Sequence, residues 1–211
     1  MKGDTMDKMH DYILKKLASS KPPIDRLFPD LKDGVWKEVE LERDLKNFTG
    51  DISNPIEFSR WINELKHRMG ADYLYGGLGE NRRNMVNQYP SLKGSKNITH
   101  IGTDVWVPSG TDVAAADGGE VENIFIDPLK EGGWGGRVMV LTDSGEHVIY
   151  GHLDPRSILV DDGEPIHPGV VIGKVGGPEV NGGHAAHLHY QVMSEKEVHE
   201  YRNLEDIDGY K

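Results

Sequence analysis

Residues 187–192 read His187-Leu188-His189-Tyr190-Gln191-Val192. On a strand successive side chains point to opposite faces, so His187, His189 and Gln191 share one face and Leu188, Tyr190 and Val192 the other. The second face is apolar and belongs in a core. The first offers two imidazoles about 6–7 Å apart, from a rise of about 3.3 Å per residue. At that separation one ring can bind a metal while the other serves a ligand on that metal. A polar strand face turned to solvent is the plainer reading of the segment taken alone.

The same habit extends outward through residues 97–193. Short apolar runs predict strands over Asn97–Val107, Asp112–Ala115, Glu120–Ile126, Arg137–Leu141, His147–Leu153, Val170–Val175 and His187–Met193. Turn signals such as Pro108-Ser109-Gly110, Asp117-Gly118-Gly119 and Ser144-Gly145 separate them. The spacing predicts a mainly β fold, a compact antiparallel sheet, sandwich or barrel. No internal repeat or low-complexity tract interrupts it.

The chain changes character near residue 70. Met6, Met9, Ile13 and Leu17 have helical spacing over Thr5–Ser19, until Lys21-Pro22-Pro23 breaks the pattern. A second helix is better marked: Asn54 caps, Pro55 suits the first turn, and Glu57 completes a capping-box-like pattern. Phe58, Trp61, Ile62, Leu65 and Met69 then form one apolar stripe, and Gly70 is a natural stop. The chain therefore divides into a helical N-terminal extension (1–70), a Gly-rich linking segment that can lie over the site (71–96), the β domain (97–193) and an acidic C-terminal tail (194–211).

Composition narrows the function. Lys plus Arg number 24 and Asp plus Glu 35, a formal net charge of −11. Nucleic acid is not the expected partner, because neutralising phosphates needs cationic side chains, and nothing draws the chain to an anionic membrane. No stretch approaches the 18 or so apolar residues of a spanning helix. With no cysteine, disulfides and thiolate metal sites are excluded, so any metal sits on His, Asp or Glu. The first twenty residues lack the apolar run of a secretory signal. The expected location is cytoplasmic if the chain is complete, and extracytoplasmic if a signal has been removed from it.

Two further segments carry histidines. In His100-Ile101-Gly102-Thr103-Asp104 both end residues are ligands that zinc accepts. A straight strand would hold them about 13 Å apart, so a bend is needed, and Gly102 stands where one can occur. Tyr150-Gly151-His152-Leu153 ends a strand with a further imidazole. The three segments together supply three ligands and two spare histidines, which is what a catalytic zinc site requires.

These segments resemble, in order, the His-x-x-x-Asp, Tyr-x-His-Leu and His-Leu-His-aromatic motifs of the lysostaphin- and LytM-type zinc endopeptidases. The connecting text is similar too: Val107-Pro108-Ser109-Gly110-Thr111, Gly133-Trp134-Gly135-Gly136-Arg137 and Pro168-Gly169-Val170-Val171-Ile172-Gly173. The resemblance implies an all-β groove with one zinc ion on its floor, held by His100, Asp104 and His189, and His152 and His187 as catalytic histidines. It implies hydrolysis of an amide in a peptide or peptidoglycan fragment by a zinc-activated water. Where the family commonly has a Ser/Thr-Gly stretch, this chain has Asn181-Gly182-Gly183-His184-Ala185-Ala186. A zinc hydrolase on a non-wall amide, a non-catalytic regulatory module of the same fold and a histidine phosphocarrier are the alternatives. Some relatives are held latent by an upstream residue on the metal. Glu80 or Asn81 are placed for that here, whereas Arg82 or Arg83 suit a substrate carboxylate. Oligomeric state is not legible.

Overall fold

A computed structural model describes residues 22–83, 98–128 and 132–210. The fold is mostly β. Ten strands are described: β1 (Trp36–Val39), β2 (Tyr73–Gly76), β3 (Thr103–Trp106), β4 (Asp112–Ala114), β5 (Gly119–Ile126), β6 (Gly136–Thr142), β7 (Glu146–Leu153), β8 (Pro165–Ile166), β9 (Val171–Lys174) and β10 (Leu188–Ser194). Eight form one sheet in the order β1-β2-β3-β10-β7-β6-β5-β8, and β4 pairs with β9 in a second. All pairings are antiparallel except β1 with β2.

Every expected strand has a counterpart, with one difference in extent. The run expected over Asn97–Val107 is a strand only from Thr103; His100 makes an isolated bridge to Tyr210, and the chain bends at Gly102. Asn97 lies outside the described residues, as does the expected helix Thr5–Ser19. Strands β1, β2 and the two-residue β8 were not expected. Trp36-Lys37-Glu38-Val39 is a short edge strand with its two charged residues exposed, a pattern that blunts a sheet edge and resembles no buried run.

Four short or medium helices complete the described chain: α1 (Ile24–Leu27), α2 (Leu41–Asp44), α3 (Pro55–Met69) and α4 (Glu195–Val198). Helix α3 has the expected caps. The Asn54 side chain accepts from the Ile56 and Glu57 amides at 3.0 and 3.3 Å, and Gly70 is left-handed at φ 60°. Its buried stripe of Phe58, Trp61, Ile62 and Leu65 packs on Val39, Leu41, Leu74, Trp106 and Ala185. This contact brings Phe58 to the wall of the cavity described below.

The main core lies between the two sheets, around Val105, Val113, Val138, Val148, Tyr150, Ile172, Leu188 and Tyr190. Leu188 and Tyr190 are thus on the core side, as the alternation in 187–192 required. The opposite face of the large sheet is covered by a smaller cluster of Met139, Ile149, Met193, Val198 and Ile207. The last of these residues belongs to the C-terminal segment, which therefore folds back onto the sheet. Among the described residues no helix is long and apolar enough to cross a membrane.

His147 of β7 ties this region together, with Nδ1 2.6 Å from Glu122 of β5 and Nε2 2.8 Å from Glu195 of α4. Burial opposes its charge, but the hydrogen bonds to the two carboxylates outweigh that and raise its pKa above 6.5. A histidine whose folded pKa is raised contributes stability in full below its unfolded pKa and loses it as pH rises through the folded one. The melting-temperature gap between wild type and His147→Gln is expected to be widest near about pH 6 and to shrink towards about pH 9. A gap independent of pH would show that the bridge is not ionic.

Candidate metal centre

Strand register places the acid beside the imidazole. Asp104 of β3 pairs with His189 of β10, and Gly151 of β7 pairs with His189 on its other side. The bend before β3 then carries His100 back over the same spot. Gly102 makes the bend possible for a second reason: a Cβ there would collide with the His189 ring. Residues that a straight strand would separate by about 13 Å come within contact, with His100 Nε2 3.3 Å from Asp104 Oδ1. His189 Nδ1 is 3.3 Å from the same oxygen and 3.1 Å from His100 Nε2. All three residues are buried, and they are the one group of metal-ligating type found among the described residues.

The outer partners of the rings determine which nitrogen faces inward. His100 Nδ1 lies 3.0 Å from the Gly77 carbonyl, which only accepts, and 3.3 Å from Arg82 Nη2, which only donates; the shorter contact makes Nδ1 the donor, so Nε2 carries a lone pair. The Gln191 amide nitrogen faces Met193 Sδ and the Asp208 carbonyl, which turns Oε1 towards His189 Nε2 at 2.9 Å. His189 Nε2 therefore carries the hydrogen, and Nδ1 is the acceptor. Two imidazole lone pairs and a carboxylate oxygen converge within 3.1–3.3 Å with no donor among them. That donor set fits a cation. Burial lowers the His100 pKa to about 4, keeping the ring neutral. Burial works against the Asp104 charge, and the Arg82 guanidinium, 3.0 Å from Oδ2, balances it.

His152 and His187 stand beside this group. His187 Nε2 is 3.5 Å from Asp104 Oδ1, and the ring is fixed by Nδ1 donating to the Ala185 carbonyl at 2.7 Å. His152 Nδ1 donates to the Asn181 carbonyl at 3.0 Å. Both rings thus keep Nε2 free of a proton, and burial lowers the pKa of each. His152 has φ +62°, the one non-glycine residue in the left-handed region among those described. That conformation costs a residue with a side chain on the order of 1–3 kcal/mol. Trp134 stacks on His152 at 5.6 Å and Trp106 on His187 at 6.2 Å, so indole walls back both rings.

Sequence reasoning assigned no role to His184, yet its ring is 4.7 Å from His152 and lines the same cavity. Burial lowers its pKa to about 3. The unusual loop 181–186 was its only signal. Neither Glu80 nor Asn81 takes the place proposed for an occluding residue. Glu80 Oε1 accepts from the Leu41 amide, and Asn81 Oδ1 from the Arg83 amide. Arg82 is the residue of that segment that enters the cavity, and it pairs with the chain's own Asp104 at 3.0 Å. The C-terminal tail supplies the remaining wall through Asp208, Gly209 and Tyr210. Ile101 N donates to the Gly209 carbonyl at 2.9 Å, and Arg137, fully buried, donates to the Ile207 and Leu204 carbonyls at 3.1 and 2.7 Å.

Residues 98–200 match the family model of peptidase family M23. These residues, about half of the chain, are thus similar to an M23 peptidase domain. All three motif segments fall inside that domain, whereas Leu41, Phe58, Arg82 and residues 208–210 of the cavity wall fall outside it. Among solved structures the chain is similar to a Pseudomonas aeruginosa protein assigned to peptidase M23, at 31% identity over 44% of this chain and 38% of that one, with a TM-score of 0.39. A zinc-containing peptidase from Vibrio cholerae is 25% identical over 54% of this chain and 31% of that one, with a TM-score of 0.42. The catalytic domain of the antimicrobial peptidase lysostaphin from Staphylococcus simulans is 23% identical over 72% of this chain and 92% of that one, with a TM-score of 0.44. The chain thus spans 38% and 31% of the first two proteins. A comparison with curated proteins gives no match.

The close approach of Gly102 to His189 gives a sharp test of the M23 centre. Gly102→Ala must push the His189 ring out of line with Asp104. It is expected to reduce bound divalent metal per chain while leaving the circular dichroism spectrum native. Undiminished metal binding by a folded Gly102→Ala protein would show that His189 is not held against Gly102.

Proposed function

We propose that this protein is a zinc-dependent endopeptidase, with His100, Asp104 and His189 as the zinc ligands and His152 and His187 as the catalytic histidines. The observation that carries the reading is the convergence of two inward lone pairs and one carboxylate oxygen with no donor between them. Three nitrogen and oxygen ligands are the usual protein complement of a catalytic zinc, with a further position left for water. Zinc bound there supplies Lewis acidity, polarising a scissile carbonyl and lowering the pKa of water to about 7.

The chain's own residues do the rest. His152 and His187 each present an unprotonated Nε2 to the cavity, anchored from behind by a backbone carbonyl. Such a group takes a proton from the attacking water and passes one to the leaving amine. Two rings on the same cavity allow one to act as base while the other, once protonated, donates to the developing oxyanion. The indole walls and the C-terminal segment limit water around these rings, which strengthens each electrostatic contact. A peptide, or a peptidoglycan fragment such as a cross-link or stem peptide, is the proposed substrate. The match of residues 98–200 to the model of a peptidase family supports this reading.

Purified protein is expected to hold about one zinc per chain. His189→Ala should hold almost none, because one of three ligands is gone. His187→Ala should keep its zinc and lose roughly 10²–10³ in turnover of wall-derived peptides, as loss of one positioned catalytic group does. Elemental analysis beside an assay on wall fragments and on small peptides reads all three. Full activity in His187→Ala would sink the assignment of that residue, and a wild type that takes up no zinc after reconstitution would sink the metal reading.

A further inference from the structure

Arg82 sits deeper in the centre than a substrate-binding arginine should. Its side chain is 5% exposed, and Nη2 lies 3.0 Å from Asp104 Oδ2. On its other side Nε lies 3.3 Å from Glu80 Oε2. Glu80 is itself fixed, since Oε1 accepts from the Leu41 amide at 2.7 Å. The Tyr210 hydroxyl is hydrogen-bonded to the same guanidinium. Gly77, at φ +94°, leaves room for it, because a Cβ there would run into Nη2. A line of contacts therefore runs from the backbone of α2 through Glu80 and Arg82 to Asp104. All of its members up to Arg82 lie outside the M23 domain.

The two oxygens of Asp104 are thus divided. Oδ1 faces the imidazole nitrogens and Oδ2 faces the guanidinium. An ionised carboxylate can offer a metal one oxygen or both. We propose that Arg82 is a positioning residue that occupies Oδ2, so that Asp104 offers the metal Oδ1 alone and the remaining position stays open. The inference rests on the metal reading above. Electrostatics make it more than a packing contact: a cation this close to a dication is unfavourable in a buried site, and it persists only because Asp104 and Glu80 flank it. Removing Arg82 relieves that repulsion and frees Oδ2, so the metal is retained with a changed ligand set. A purely structural arginine would leave the ligand set as it was.

Cobalt(II) reports this, since its visible bands follow ligand number and geometry. The full-length wild type, Arg82→Met and Arg82→Lys proteins are loaded with cobalt, and folding is checked by circular dichroism. Arg82→Met is expected to bind cobalt with weakened and shifted visible bands, as a second carboxylate oxygen joins. Arg82→Lys, which keeps a cation with a donor for Oδ2, should restore bands of wild-type shape. Should Arg82→Met not fold, Arg82→Leu, equally without charge or donor for Oδ2, reads the same bands. Identical bands in wild type and in the neutral variant would overturn the role of Arg82 and leave the metal reading standing. Failure of the wild type to bind cobalt or zinc would overturn the metal reading, and this inference with it.

Discussion

One carboxylate oxygen inside a dry pocket sets the terms for everything around it. A buried charge is tolerated only when it is paired or hydrogen-bonded; Asp104 meets this through Arg82 Nη2, 3.0 Å from Oδ2, while Oδ1 faces the lone pairs of His100, His189 and His187, a set that a cation balances. Each ring in turn needs a partner for its outer nitrogen, and backbone carbonyls of residues 77 and 185 and the amide of Gln191 provide them. The partner of His189 is held by the Asp208 carbonyl. The centre is therefore a set of tautomers fixed from the outside inward. It presents lone pairs where a cation fits, with the unprotonated Nε2 of His152 and His187 beside them.

Sheet geometry delivers this arrangement at little conformational expense. β10 lies between β3 and β7, so its residue 189 meets ligand-bearing backbone on one side and a glycine on the other. Gly151 matters because a Cβ there would strike the Trp134 ring, which must lie over His152 and edge-on to His189. The strain held at His152, φ +62°, is opposed by a stacked indole, a carbonyl partner and a backbone bond to Trp134. Rigid strands with locked rotamers give the tolerance that hydrolytic chemistry needs. The residues matched to the M23 model supply the five clustered side chains, while segments on either side of them enclose the cavity.

How much of this was legible follows from which interactions are local. Helix α3 could be read to the residue because its caps and stripe lie within sixteen positions of one another. The strands could be read because alternation of apolar and polar side chains survives wherever one face is buried. β1 escaped because a four-residue strand with Lys37 and Glu38 turned outward carries almost no periodic signal, and β2 because Tyr73-Leu74-Tyr75-Gly76, buried over three of its four residues, does not alternate. His184, Arg82 and Tyr210 were not placed for a different reason. Each sits in a Gly-rich, charged or acidic stretch whose local pattern resembles an ordinary loop or tail, and each is made functional by a neighbour about 20–110 positions away.

By itself the sequence determined the class of fold and the long helix, because short-range spacing carries that information, and its motifs named five residues that folding brings to one cavity. It also showed that His100 and Asp104 need a bend between them to meet, with Gly102 where one can occur; that the His189 ring fills the space above that glycine is a tertiary fact. The tertiary structure alone decided which nitrogen of each ring faces the centre, that an arginine and not a glutamate or asparagine closes on Asp104, and that the acidic tail is a wall of the cavity. Those outcomes depend on hydrogen bonds and contacts between segments far apart in the chain. No local pattern records a partner that only folding brings into reach.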